Sequence, residues 1–486
     1  MVLVWRVLYG LLDAKPVVKA TSRILRGLAV LCRRPIDEGL LAMVERRFVV
    51  SGWPHQSPGW VNLHVSRFVR RVRREFNPGH QVGKVACPGR HAPLRIGFTG
   101  CFSGLLGFPL ELFEACPSTV ALYIFDMEFR GRLAPYLKSV ARGYFYMSGV
   151  DKGVGLAQQV APLADAINAS DLDMLVNVNW RADGYELLDA VTTPCIVHHC
   201  SGSDLMHHEK IDVQLYPQPE ADYLIRGSQL FCCTTERLSS FGHVRQIWGF
   251  YDRRGANASS VRPWNEREPL MVFHGSLRYL EGRAYLATVF DLLHEDKALQ
   301  FIYMGKDNGT ALKGVIEAAK QAGVEGQVHY EGHFSAVRGE DGDIPEVGWS
   351  KMLSYLQRAR LAPDPWPMGG GSSRFEGYLA GTPSVHMGLR VDRASWRRRQ
   401  HSVCEVPLLL VPSATATTIE EYRRLCRRCL YDERFADRII SEQLLVAKAA
   451  SDPAAWWDEL VKVYEEWHDD HVVRTPRSDL AASAAL

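Results

Sequence analysis

Apolar residues in this chain gather in short continuous runs, and between the runs they recur at the spacing of one helix face. Residues 95–99, 120–126, 171–178 and 194–199 are such runs and predict buried strands, while residues 100–107 form a glycine-bearing turn ahead of an apolar helix over 109–115. A strand covered on both faces has no polar side to alternate with, so continuous runs favour a parallel sheet between two layers of helices. Strand, turn and helix in repetition therefore predict a doubly wound α/β domain. Residues 261–269 break the rhythm with polar side chains and two prolines and read as a linker. The rhythm then restarts with runs at 270–276, 300–305, 327–332 and 384–386, and residues 358–363 lead into a glycine-rich passage. A second domain of the same kind follows from that repetition.

The flanks differ in character. Residues 418–440 have the spacing of an amphipathic helix pair. Asp452 and Pro453 cap a helix over 454–467, on which Trp456, Trp457, Leu460, Val463, Tyr464 and Trp467 form a wide apolar stripe. Residues 335–348 are acidic and glycine-rich and predict an exposed insertion; residues 471–486 predict a frayed tail. Residues 1–90 mix bulky apolar side chains with arginine at helical spacing. The chain so divides into a basic helical region over 1–90, a first domain over 91–262, a second over 263–450, a terminal helix over 451–470 and a tail over 471–486.

Composition narrows the function classes. With 486 residues and 47% hydrophobic content the chain can fill two or three domain cores, and a net charge of +2 gives no bulk attraction for nucleic acid. The basic excess is local: residues 1–90 carry sixteen Lys plus Arg against five Asp plus Glu. Such a segment either lies on an anionic membrane surface or packs on the next domain with its arginines at the rim. No apolar run is long enough to span a bilayer, and the eleven cysteines make no disulfide framework, so a reduced, cytoplasmic setting is expected, with peripheral contact at the inner membrane face as the alternative that residues 1–90 allow. Cys426 and Cys429 have metal-like spacing but no second pair, and no zinc site is expected.

Residues 364–385 hold the densest chemistry. Gly369, Gly370 and Gly371 let a ligand approach the backbone, and Ser372 and Ser373 supply an N-cap for the helix that follows. Free N–H groups at a helix N-terminus form an anion site. Glu376 stands one turn into that helix, about 6 Å along the axis from the cap at ~1.5 Å rise per residue, where its carboxylate can take two ribose hydroxyls while a diphosphate lies on the loop. Gly381-Thr382-Pro383 then stops the helix. Earlier in the chain, four histidines fall between 198 and 208 beside Asp204. His198, His199 and Asp204 are the candidates for taking a proton from an acceptor hydroxyl, because histidine titrates near neutrality. The same histidines equally fit an ordinary polar loop.

The passage Gly369 to Val385 resembles the sugar-nucleotide loop of GT-B glycosyltransferases, and most closely that of the O-GlcNAc transferase and SPINDLY-like group with its bacterial relatives. Ser372 and Ser373 stand where that group carries threonines on the diphosphate, and Glu376 where it carries an acid on the ribose; Arg374 is bulkier than the usual residue. The resemblance implies two Rossmann-like domains, with donor on the second, acceptor on the first and the terminal helix returning to the first. It places Arg278 and Arg283 near a family lysine, so that Gly369, Gly370, Gly371, Ser372, Ser373, Arg374, Glu376, Arg278 and Arg283 make the donor set. It implies transfer from a nucleoside diphosphate sugar, a UDP-sugar in preference, with no cofactor or bound metal, to a saccharide, a lipid-linked saccharide or a protein side chain. Met368 occupies the place where retaining relatives have a second glutamate, which favours inversion. The resemblance covers about 94–468, and two features depart from it. Residues 101–109 lack the family histidine, and no 34-residue helical repeat precedes the first domain. A catalytically degenerate module that binds a sugar nucleotide or a protein partner is the alternative. Residues 393–399 make a basic patch where bacterial relatives show an arginine pair.

Overall fold

The computed structural model describes residues 83–85, 90–100, 102, 111–127, 134–147, 156–178, 182–199, 208, 210–216, 243–246, 261–305, 311–333, 346–366, 372–387 and 411–474. The helical reading of residues 1–82, residues 335–345 of the expected insertion and residues 475–486 of the expected tail lie outside them, whereas residues 346–348 open a helix and residues 471–474 continue one instead of fraying. Two compact units emerge: Met1–Trp248 with Pro453–Leu486, and Gly249–Asp452.

The first unit is built on a parallel sheet of seven strands: β1 Leu94–Gly100, β2 Val120–Asp126, β3 Gly143–Tyr146, β4 Met174–Asn177, β5 Cys195–His199, β6 Val213–Tyr216 and β7 His243–Gln246. Their order is β3-β2-β1-β4-β5-β6-β7. The register runs unbroken from Leu94 opposite Val120 to Gly100 opposite Asp126. Helices α1 (Leu156–Ala169) and α2 (Ala182–Ala190) follow β3 and β4. Phe125, Leu163, Ile167, Leu175 and Leu187 share one buried cluster, so the apolar faces of sheet and helices close on each other.

In the second unit six parallel strands, β8 Glu268–His274, β9 Gln300–Met304, β10 Val328–Tyr330, β11 Ala359–Pro363, β12 Ser384–Met387 and β13 Thr415–Ala416, take the order β10-β9-β8-β11-β12-β13. The chain builds outward from β8 to β10, then crosses back and builds the other way from β11. The reversal falls between β8 and β11, and open sheets of this kind leave a crevice at the carboxyl ends of the two strands flanking it. Between the strands run α3 (Arg283–Glu295), α4 (Ala311–Ala322), α5 (Glu346–Arg358) and α6 (Ser372–Leu379). The expected helix pair near the end is α7 (Ile419–Tyr431) and α8 (Glu433–Ala450). Two caps divide it: the Thr418 side chain accepts from the Glu421 N–H, and the Asp432 side chain accepts from the Phe435 N–H.

Helix α9, Pro453–Arg474, belongs to the first unit. Its apolar stripe is buried there: the Trp457 indole N–H donates to the Leu112 carbonyl at 2.8 Å, and the Trp457 ring stands edge-on to Phe98 of β1. Arg90 pairs with Glu465 at 2.9 Å on the outside.

Strands β3, β6, β7 and β13 have no counterpart among the runs read from sequence. They are two to four residues long, and Gln214 in β6 and Arg245 in β7 interrupt the apolar pattern that marks the longer strands.

The stop at Gly381 is a double closure. The Gly381 N–H bonds the Tyr378 carbonyl and the Thr382 N–H bonds the Gly377 carbonyl, each at 2.9 Å, with Gly381 at φ +67°. The Thr382 hydroxyl then donates to the Leu356 carbonyl at 2.6 Å. A Cβ on Gly381 would come within 2.6 Å of Val261 and would sit in a left-handed conformation that a side chain resists. Gly381→Ala is expected to cost about 1–3 kcal/mol, read as a lower urea midpoint with unchanged slope.

Candidate functional site

The two ends of the glycine-rich passage are tied to one another. On the near side β11 ends at Pro363, and the Asp364 N–H still bonds the Val385 carbonyl at 3.0 Å. The Tyr285 hydroxyl donates to the Pro363 carbonyl and the Tyr422 hydroxyl to the Asp364 carbonyl, both at 2.9 Å, while Trp366 stands edge-on to both rings. On the far side α6 begins at Ser372, and two residues in, the Arg374 guanidinium reaches back to the Asp364 carboxylate through Nε at 3.1 Å and Nη2 at 2.5 Å. His386 of β12 meets the same carboxylate oxygen through Nδ1 at 3.2 Å, and its Nε2 lies 2.6 Å from the Tyr378 hydroxyl.

Proton positions in this cluster follow from valence. A carboxylate only accepts, so Nδ1 of His386 carries the proton and Nε2 accepts from Tyr378. The imidazole stays neutral: burial, with the Arg374 charge adding to it, pulls His386 down to about 4 from its ordinary 6.5. Burial also lifts the Tyr378 hydroxyl well above its ordinary range, so it remains a donor.

Glu376 lies one turn into α6 as expected, and its carboxylate accepts a hydrogen bond from Nε2 of His274, 2.7 Å away. His274 is the last residue of β8, and Gly275 follows it at φ +137°. A Cβ on Gly275 would stand 3.7 Å from Ser373 Oγ, so the end of β8 lies against the first turn of α6. At the end of β9, Gly305 approaches so closely that a Cβ there would fall 1.6 Å from the Gly275 carbonyl oxygen. The carboxyl edge of the second sheet is therefore bare backbone beside a helix N-terminus, with one carboxylate standing over it.

Of the expected donor residues, Ser373 and Glu376 lie at this edge. Ser372 opens α6, and Gly369, Gly370 and Gly371, with Asp204 and the basic patch at 393–399, fall outside the described residues, as do the side chains of Ser372 and Arg278. Arg283 is the first residue of α3, with its side chain exposed. Arg374 departs from expectation: its guanidinium is turned inward to Asp364 and is 4% exposed, so it holds the passage together and is not presented to a ligand. The reason is local, because Asp364 and His386 already form a buried polar pair that a cation completes. His274, Asp364 and His386 were missed as site residues. A signal existed for each: all three are polar residues at the carboxyl ends of otherwise apolar strand runs, where side chains leave the sheet and reach its edge.

The first unit presents a different edge. Thr99 at the end of β1, Asp126 at the end of β2, Asn177 at the end of β4 and His198 and His199 at the end of β5 are all buried. The Asn177 amide lies 3.2 Å from His198 Nδ1, and the Tyr144 hydroxyl donates to Asp126 at 3.1 Å. Burial lowers His199 to about 4, so at neutral pH it is uncharged and a weak proton acceptor. Cys426 and Cys429 are buried thiols of α7, both raised by burial. No group of three or more possible metal-binding side chains occurs among the described residues, and no helix among them is long and apolar enough to cross a membrane.

No protein-family model matches the chain, and no curated protein matches it by sequence. Among solved structures, a mutant O-GlcNAc transferase of Thermobaculum terrenum aligns with a TM-score of 0.60 at 16% identity, over 96% of this chain and 84% of that one. HepE of Anabaena in complex with UDP and glucose aligns at 0.49 and 12%, over 77% of this chain and 100% of that one. Sucrose-phosphate synthase of Thermosynechococcus elongatus aligns at 0.48 and 12%, over 78% and 100%. The two parallel sheets and the first of these alignments establish the fold as GT-B.

Removing the cation from a buried pair strands the carboxylate, so Arg374→Ala is expected to lower unfolding stability by about 3–5 kcal/mol in urea titration. His386 gives a pH signature. Its folded value lies below its unfolded one, so the unfolded chain takes up the proton first; the contribution is complete above about 6.5 and is lost as pH falls toward 4. His199 acts in the same direction in the other unit. Stability measured between pH 7 and 4 is expected to fall less steeply in His386→Gln than in the parent chain.

Proposed function

We propose that the chain is a glycosyltransferase that takes a sugar from a nucleoside diphosphate sugar, a UDP-sugar in preference, and passes it to a hydroxyl acceptor. The donor sits on the second unit and the acceptor on the first. The observation that carries this reading is Glu376, a partly exposed carboxylate one turn into α6 at the edge where the sheet order reverses. A ribose there can give two hydroxyls to the carboxylate, and its diphosphate can lie toward the α6 N-terminus, where N–H groups and the helix dipole favour negative charge. Breaking the anomeric bond puts charge on that diphosphate. Backbone donors already fixed in place stabilise it without the reorganisation that solvent would need, and on this basis the reaction is metal-independent. Inversion is the stereochemical outcome we favour, since Met368 leaves no second glutamate before the loop.

The acceptor is a saccharide, a lipid-linked saccharide or a protein side chain. A general base on the first unit comes from the carboxyl edge that carries His198 and His199, with Asp204 following in sequence. Both imidazoles are buried at that edge, and burial weakens His199 as a proton acceptor.

Binding tests this reading first. In chelator-containing buffer, calorimetry with a panel of nucleoside diphosphates is expected to show tight binding of one base, with Glu376→Gln weakening it by about 1.5–3 kcal/mol while the melting temperature holds. Unchanged affinity in that variant removes the assignment of Glu376 to the ribose.

A further inference from the structure

Glu376 has three rotatable side-chain bonds, and a carboxylate that is to receive two hydroxyls must be fixed before they arrive. Its one hydrogen bond among the described residues comes from His274, through Oε2; Oε1 has none there. The two partners differ in freedom. The His274 side chain is 8% exposed and that of Glu376 22%, and the His274 backbone is locked in the β8–β9 ladder opposite Met304. The imidazole is therefore anchored by the sheet, and the carboxylate stands on the more exposed surface of α6. Because a carboxylate only accepts, Nε2 of His274 carries the proton and donates. That bond ties up one oxygen, leaves the other without a partner among the described residues and joins β8 to α6 beside the line where the strand order reverses.

We propose that His274 is a positioning residue for ribose recognition: it holds the Glu376 carboxylate in the orientation that distinguishes a ribose with both hydroxyls from one without. The inference rests on the assignment of Glu376 to the ribose given above. A bond in place before binding removes the rotamer entropy that binding would otherwise have to overcome. The effect of losing it falls on the hydroxyl contacts alone, since neither His274 nor Glu376 is needed where a diphosphate meets backbone N–H groups.

The test compares UDP with 2′,3′-dideoxy-UDP on the full chain by calorimetry. The parent chain is expected to prefer UDP by roughly tenfold or more, the equivalent of one charge-assisted hydrogen bond. His274→Leu keeps the buried volume and loses the donor; the ratio is expected to fall toward one while affinity for the dideoxy compound stays within about twofold. His274→Gln keeps an N–H at similar reach and is expected to restore most of the preference, which a purely structural role would not predict. Thermal melts show which variants are folded, and the glutamine variant alone suffices if the leucine variant is not, because loss of the preference in a folded His274→Gln counts against the proposal. Retention of the parent ratio in folded His274→Leu overturns it, as does an equal loss for both nucleotides. No preference in the parent chain overturns the ribose assignment of Glu376 and this inference with it, whereas a preference lost in Glu376→Gln but kept in His274→Leu overturns this inference alone.

Discussion

The buried ion pair between Asp364 and Arg374 is the constraint on which the second unit's edge depends. Two charges at 6% and 4% side-chain exposure have given up their hydration, and such a pair is tolerated only when each remaining hydrogen-bonding position is filled. His386 joins the pair at the shared carboxylate oxygen and Tyr378 donates to His386, which draws β12 and the middle of α6 into the same cluster. Once the cluster is satisfied, the exit of β11 and the entry to α6 have a single relative placement. Ser373 then lies against Gly275, and Glu376 reaches the end of β8. The orientation of the proposed ribose ligand is thus fixed by an interaction that touches no ligand.

The two sheets differ at the carboxyl ends of their central strands. In the second, Gly275 and Gly305 pass so close that no side chain fits between them, which leaves bare backbone at the ends of β8 and β9 beside the polar cluster of Asp364, Arg374 and His386. In the first, Thr99, Asp126, Asn177, His198 and His199 crowd the corresponding edge with buried polar side chains. Backbone at an edge suits a diphosphate, which needs several weak donors at close range. Side chains able to take a proton suit the proposed acceptor, whose hydroxyl would lose one.

The long strands were legible because continuous apolar runs have few other uses at that length, and the helix stop at Gly381 because only a left-handed glycine closes a helix that way. The short strands β3, β6, β7 and β13 were not; in β6 and β7 Gln214 and Arg245 interrupt the apolar pattern that marks a strand, and pairing with a neighbour decided what propensity could not. Glu376 was placed correctly along the chain because one helical turn is a fixed distance. Arg374 was misread for the complementary reason: spacing says how far a residue lies from a loop, and nothing about whether a carboxylate and an imidazole ten and twelve residues away will claim its charge first. His274 was passed over as the last residue of a strand, although that position is where a side chain escapes the sheet.

The first unit is made of two stretches of chain separated by the whole of the second, since Trp456 and Trp457 pack on Phe98 of β1. This ordering has a consequence for biosynthesis. When residue 452 has left the ribosome, every residue of the second unit's sheet and helices is out, yet the first unit still lacks the aromatic cover of its opening strand. The later-encoded unit is therefore the one able to complete its core first, and the earlier one waits, with an apolar face open, until residues 453–474 emerge. Any chain cut short within α9 leaves the second unit's architecture intact and the first unit's unfinished.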